Sequence, residues 1–235
     1  MDAITDVVGV LPNYAEPLGT TVFITVSSAA LALVIAFGLG LATHSPKLIL
    51  RAPARTFVEF IRGSSVVVQL FWFAYAMPAL FNFRFDYLIV AGIIALAINY
   101  GAYSSEVVRG ALQAVPHSQH EACTALGIHG VKKFWRVILP QAWPEMIPSL
   151  CSFAVMLLKA SALVSMIAVV DLTEMAKTIG ERPDQDRLVQ LSFVLVVYFL
   201  LAWLIWSGMR ALENRAKRGL GIDPKQRMAT GAGGK

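Results

Sequence analysis

The chain has 235 residues, of which 57 % are hydrophobic and only 15 % are charged, where soluble domains average about 25 % charged. Together with a mean hydropathy of +0.63, this excludes an ordinary soluble domain and reads as an all-α integral membrane protein. The net charge of +5 is distributed between loops, so it belongs to membrane topology and gives a nucleic-acid partner no support.

Residues 1–18 read as an external N-terminal arm with Asp2, Asp6 and Glu16 and no Lys or Arg. The arm lacks the basic region and short apolar core of a cleavable signal, so the first span is expected to act as an uncleaved signal-anchor. Five apolar runs, residues 20–43, 64–80, 87–108, 146–170 and 188–209, are expected to cross the bilayer as helices of about 20 residues. Between the first two, residues 45–62 begin with Ser45-Pro46, a cap followed by a first helical position. They read as an amphipathic interfacial helix with basic residues on one face. The second run is short and is interrupted near its end by Pro78.

The polar loop 109–144 follows the third run, and its core is built as two short helices hinged on a glycine. Pro116 stops the preceding helix, and Ser118-x-x-Glu121 reads as a capping box, with hydroxyl and carboxylate satisfying the first-turn amides. Gly127 is placed to end the first helix in the left-handed conformation. Trp135, Val137 and Leu139 make the second element apolar, and Pro140 is expected to close it. Pro140, Pro144 and Pro148 recur at four-residue intervals, so the entry into the fourth run is expected to be bent or broken. Within that run Lys159 is the one ionisable residue. A Lys at the centre of a span costs roughly 2.5–3.5 kcal/mol on insertion scales. It reads as a pathway or gating residue that attracts a carboxylate, as a structural ion pair with Glu106, or as a cation snorkelling to an interface. Residues 175–187 form an external loop with a short helix, and 213–235 a basic, flexible tail.

Lys and Arg concentrate between the first and second runs, in the 109–144 loop and in the tail. That places the N-terminus outside and the C-terminus in the cytoplasm. No phosphate-binding glycine loop, metal-ligand spacing or nucleophile constellation is present in the sequence, and no cofactor is expected. His44, His117, His120 and His129 read as solvated loop residues, and Cys123 and Cys151 as packing residues.

Residues 121–140 resemble the EAA loop of ABC importer permeases, E-A-A-x3-G-x9-I-x-L-P. Here the match is carried by Glu121, Ala122, Cys123, Gly127, Val137, Leu139 and Pro140. Further stretches resemble the polar amino-acid, histidine/glutamine-type branch. They are Gly19-Thr20-Thr21, Glu59-Phe60-Ile61-Arg62-Gly63 and Val68-Gln69-Leu70-Phe71, then Asn99, Ala102-Tyr103, Glu106, Arg109-Gly110, Leu157-Leu158-Lys159 and Asp171-Leu172-Thr173. The resemblance implies a type I importer-like fold with five transmembrane helices and a cytoplasmic coupling-helix loop, the permease domain covering residues 19–212. It implies residence in the bacterial inner membrane as half of a translocation pathway for polar amino acids or related zwitterionic solutes. The implied partners are a second permease subunit, identical or homologous, two ATP-binding subunits and an extracytoplasmic solute-binding protein. Ser118, Glu121, Ala122, Gly127, Val137, Leu139 and Pro140 become the coupling loop. Lys159, Asn99, Tyr103 and Glu106 become pathway candidates. The chain departs from the branch at Ser64-Ser65-Val66-Val67, at Ala160-Ser161-Ala162, at Ser118 and at Ser152, and its nearest likeness is to permeases for ectoine-type compatible solutes. A secondary transporter or channel subunit working without an ATPase is the competing reading; five spans are few for a self-contained carrier.

Overall fold

The computed structural model describes residues 9–82, 85, 87–183 and 185–219, and among these there is no strand. The helices are α1 (Ala15–His44), α2 (Leu48–Gly63), α3 (Val66–Phe71), α4 (Met77–Phe81), α5 (Leu88–Ala114), α6 (His117–Ala125), α7 (Gly130–Lys133), α8 (Leu139–Ser161), α9 (Leu172–Gly180) and α10 (Arg187–Gly219). Four continuous stretches are long and apolar enough to cross a membrane: Leu11–His44, Leu88–Ala114, Gly130–Ile167 and Arg187–Arg218. The fifth is the pair Leu48–Gly63 and Val66–Phe81, bent by 103°. At 1.5 Å per residue the second limb is only about 24 Å long, short of a hydrocarbon layer of about 30 Å. The end of α2 must therefore enter the bilayer to complete this span.

Small residues set the packing. Helix α1 lies along α5, and a Cβ on Gly40 would stand 2.8 Å from the Val108 side chain. A Cβ on Gly101 would stand 2.8 Å from Ile35. Only hydrogen at both positions allows the backbones to approach this closely. A central core of Ile24, Leu70, Leu96, Leu157, Val164 and Ile167 joins the first four spans. A second core, near the 109–144 loop, gathers Ala36, Val108, Leu112, Ile138, Met146 and Leu150. At the far end Val10, Tyr14, Leu172, Ala176, Ile179 and Val194 form a third.

Three sequence expectations change. The N-terminal arm is not separate from residue 9 onward: Leu11–Tyr14 is a 3₁₀ turn leading straight into α1. Val10 and Tyr14 are buried against α9 and α10, because each supplies apolar surface to a junction that water does not reach. Residues 1–8, with Asp2 and Asp6, and 220–235 of the tail lie outside the described residues, while 213–219 continue α10. Pro140 does not close the second loop element, and the entry to the fourth span does not break, since Gly130–Ile167 runs through all three prolines. A π-turn, Phe134–Ile138, ends just before Leu139-Pro140. Its wider turn gives room to the Pro140 ring, which would otherwise meet the Arg136 carbonyl. The same device, Trp72–Ala76, precedes Met77-Pro78. Spacing of four also keeps the missing donors of Pro140, Pro144 and Pro148 along one edge of the helix, so the ladder is lost on one seam and kept on the rest.

Candidate functional site: an elbow and a cleft

The loop 109–144 folds into an elbow. Helix α6 starts with Pro116 as its N-cap residue and makes no side-chain cap. The capping box expected of Ser118 is therefore absent. The Pro116 carbonyl already accepts from the Gln119 amide at 3.0 Å, so the helix begins a step earlier and Ser118 falls inside its first turn. Glu121 meets His117 Nδ1 at 3.2 Å instead.

The other end of α6 follows expectation. Gly127 has φ +70; its amide donates to the Thr124 carbonyl at 3.1 Å, and Ile128 donates to Cys123 at 2.8 Å. That pair of bonds is a Schellman motif, available at low steric strain only to a residue without a Cβ. Lys133 Nζ donates to the His120 carbonyl at 3.1 Å and ties the second arm to the first. The elbow is thereby rigid, yet its apolar tip is bare: Leu126 is 76 %, Val131 73 % and Trp135 63 % exposed. Glu121 and Ala122 are exposed on α6, Val137 and Leu139 half-buried, and Pro140 exposed. All seven expected coupling residues thus lie on one elbow.

Beside it is a pocket of about 740 Å³ lined by His44, Gln113, His117, His120, Glu121 and Lys133. Here His120 is held below the ordinary imidazole value by burial first, then by Lys133, His117 and His44. Sequence reading scattered these histidines as separate loop residues; only the return of α1 to the elbow brings His44 in.

The four pathway candidates separate. Asn99 is buried, and its Nδ2 donates to Gln69 Oε1 at 3.2 Å. Gln69 Nε2 in turn donates to the Ile61 carbonyl at 2.9 Å and to Ser64 Oγ at 2.6 Å. The 103° bend exposes the Ile61 carbonyl, and these side chains satisfy it. Tyr103 acts one turn further along, its hydroxyl donating to the Arg62 carbonyl at 3.0 Å while the Arg62 guanidinium lies 5.3 Å over its ring. Asn99 and Tyr103 are clasps of the bend.

Glu106 accepts from Arg109 at 2.6 Å and 3.0 Å, so the ion pair with Lys159 is not formed. A carboxylate three residues from a guanidinium on the same helix is paired before a distant ammonium reaches it. Lys159 is exposed, with no hydrogen bond or ion pair among the described residues. Tyr100 donates to the Met156 carbonyl at 3.2 Å. This sets Lys159 near the level of Ala97, about 14 Å along α5 from its Leu88 end, well inside the span.

At the far end Asp171 is fully buried. Its Oδ1 accepts from the Glu174 amide at 2.9 Å, capping α9, and its Oδ2 accepts from the Tyr198 hydroxyl at 3.3 Å. Burial pushes this carboxyl above its ordinary value, although the backbone and Tyr198 hydrogen bonds pull the other way. Thr21 Oγ1 accepts from the Leu172 amide at 3.2 Å, and Tyr14 donates to Gln190 at 2.9 Å. The Gly19-Thr20-Thr21 and Asp171-Leu172-Thr173 stretches thus meet at one junction.

Comparison with known proteins agrees along nearly the whole chain. The profile of the family described as "Binding-protein-dependent transport system inner membrane component" matches residues 32–218. A "Probable amino-acid ABC transporter permease protein" of Sinorhizobium fredii is 37 % identical over 88 % of this chain and 90 % of its own length. The "L-cystine transport system permease protein" of Bacillus subtilis is 36 % identical, covering 84 % of each. Among solved structures, the "Crystal structure of an amino acid ABC transporter with histidines" superposes with a TM-score of 0.81 at 27 % identity, over 92 % of this chain and 99 % of that one.

Proposed function

The chain belongs to the family of binding-protein-dependent transport system inner membrane components, and we propose from that premise that it is the permease subunit of an ATP-driven importer. Its cargo is polar amino acids or related zwitterionic solutes, ectoine-type solutes included, in line with the amino-acid and L-cystine permeases it resembles. The chain supplies half of a translocation pathway in the bacterial inner membrane and a second permease supplies the other half. The elbow side faces the cytoplasm with the C-terminus, and the N-terminus lies outside.

The observation that carries this reading is the elbow. A rigid, backbone-capped turn presenting three bare apolar side chains is built to seat in a groove of another protein. Two ATP-binding subunits are the occupants, one per permease. Their closure on ATP moves the elbow as a rigid body, and the unbroken helix from Gly130 to Ile167 carries that displacement into the membrane with no hinge to absorb it. Solute then enters from an external binding protein docked at the opposite end. Glu121 and Ala122 face the ATPase from α6, and Val137, Leu139 and Pro140 transmit from the second arm.

Gentle extraction of the tagged chain followed by mass spectrometry tests this. An ATP-binding subunit and a second permease are expected, and their loss on Trp135→Glu with Val131→Glu would locate the contact. Recovery of the chain alone, under conditions that hold other importers together, refutes the docking role and returns the carrier reading.

A further inference from the structure

We propose that the cleft between α8 and α10 is an anion track, along which a solute's carboxylate passes from Lys159 to Arg210 on its way to the elbow side. This deepens the importer reading and rests on the chain forming half of a pathway. The cleft encloses about 640 Å³, and among its lining residues are Ser152, Lys159, Arg210, Asn214 and Lys217. Its charge is one-sided: the cations Lys159, Arg210 and Lys217 face a single carboxylate, Glu213, and Lys217 already holds that carboxylate. Lys159 and Arg210 therefore have no anion among the described residues. The Arg210 guanidinium rests 4.9 Å over the Trp206 ring, a contact that stabilises a cation without neutralising it.

The two free cations are stepped along the span. Lys159 lies late in α8 and Arg210 late in α10, and because these successive spans run in opposite directions Arg210 stands on the elbow side of Lys159. An unpaired ammonium and guanidinium in a cleft with low-dielectric walls focus a positive potential, and that field lowers the energy of an anion throughout the channel's inner half. Ser152 and Asn214 offer neutral hydrogen-bonding groups beside the cations, as a carboxylate moving between them requires. A zwitterion fits through its carboxylate, while a solute with cationic groups only is repelled.

The test uses charge-matched thiol reagents, so no cargo need be known. In the assembled complex in permeabilised native membranes, with Cys123 and Cys151 replaced by Ala, Ser152→Cys is labelled with sulfonatoethyl (anionic) and trimethylammonioethyl (cationic) methanethiosulfonate. Relative to the same thiol in an unfolded sample, the anionic reagent is expected to be favoured on the order of tenfold. Lys159→Gln with Arg210→Gln should bring the ratio to near one, and Lys159→Arg with Arg210→Lys should restore it. Equal rates in the starting protein, a preference that survives removal of both cations, or no labelling by either reagent overturns the track. The importer reading fails separately: the ATP-binding subunit is then missing from the complex, whatever the labelling ratio.

Discussion

The chain makes two sharp changes of direction, and they are held by opposite means. At Gly127 the turn itself closes through backbone bonds, two amides forming a Schellman motif, with Lys133 tying the arms beyond it. At Ser64 the 103° bend is clasped by side chains: Gln69 and Tyr103 reach the Ile61 and Arg62 carbonyls, and Asn99 holds Gln69 in place. The environments explain the difference. An exposed loop has water for any carbonyl its turn leaves over, so a glycine suffices. Within a bilayer a freed carbonyl has no such partner, and the fold must bring amides and hydroxyls to it. The rule that follows is that a polar residue inside a span of this protein is first a clasp, and only an unpartnered one, such as Lys159, is available for cargo.

The largest effect on stability is expected where a clasp is removed. Gln69→Leu leaves the Asn99 amide buried without its partner and takes one donor from the Ile61 carbonyl, which keeps the Ser64 amide and hydroxyl, at about 1–3 kcal/mol for the buried group left unpaired. Asn99→Leu removes one end of the chain only and should cost less. Thermal melting of the detergent-purified complex checks the order, and Gln69→Leu milder than Asn99→Leu would break the comparison. At the elbow the strain is conformational, because nothing lies within 4 Å of a Cβ added at Gly127. Gly127→Val should cost about 1–2 kcal/mol through φ alone and detach uptake from ATP hydrolysis while the protein still inserts, and Gly127→Asp should uncouple too, through the charge it puts beside the bare apolar tip rather than through φ. Gly127→Asn, which tolerates the left-handed region, should retain more uptake than Val. Parallel uptake and ATPase assays decide, and normal uptake in the Val variant would sink the coupling assignment.

The residues made some of this plain and hid the rest for identifiable reasons. Five apolar runs gave the span count, because lipid enforces length and composition directly. The glycine of the elbow was legible because its φ is a local property. The π-turns were not, since the proline that demands one shows only that a regular helix must yield, not that it yields by widening. The capping box failed because a Ser-x-x-Glu spacing cannot show that the preceding proline's carbonyl has already started the helix. Glu106 reads in the sequence as a candidate partner of Lys159, because spacing alone does not show that Arg109, one turn on, takes its carboxylate first. The α8–α10 cleft was out of reach: Arg210 lies well beyond the end of the fourth span at Ile167, and only tertiary packing brings it into one cleft with Ser152.

A smaller effect, with a definite sign, is expected at Asp171. Burial holds its carboxyl above the ordinary aspartate value, so the folded state binds the proton more tightly than the unfolded one. Below the unfolded value both states are protonated and the group is neutral to stability. As pH rises through the interval up to the raised folded value, the unfolded state ionises first and stability falls. Asp171→Asn keeps a side-chain oxygen for the Glu174 amide and should flatten that part of the melting profile, which begins in the ordinary carboxylate range and extends upward from it. An unchanged slope would mean that Tyr198 and the helix amide already offset burial in full.

The smallest effect is the sharpest check on the elbow. If α6 is started by Pro116 and closed by Gly127, Ser118 supports nothing, and Ser118→Ala should shift stability by no more than about 0.5 kcal/mol and leave coupling intact. A true cap in its place would be worth about 1 kcal/mol. Melting the two proteins side by side separates these values. A loss near the larger figure, with uptake falling beside it, would mean that the helix starts at Ser118 in the assembled importer and that docking of the ATPase reshapes the first turn. A silent substitution leaves the left-handed glycine, with its two backbone bonds, as the element that fixes the elbow's angle.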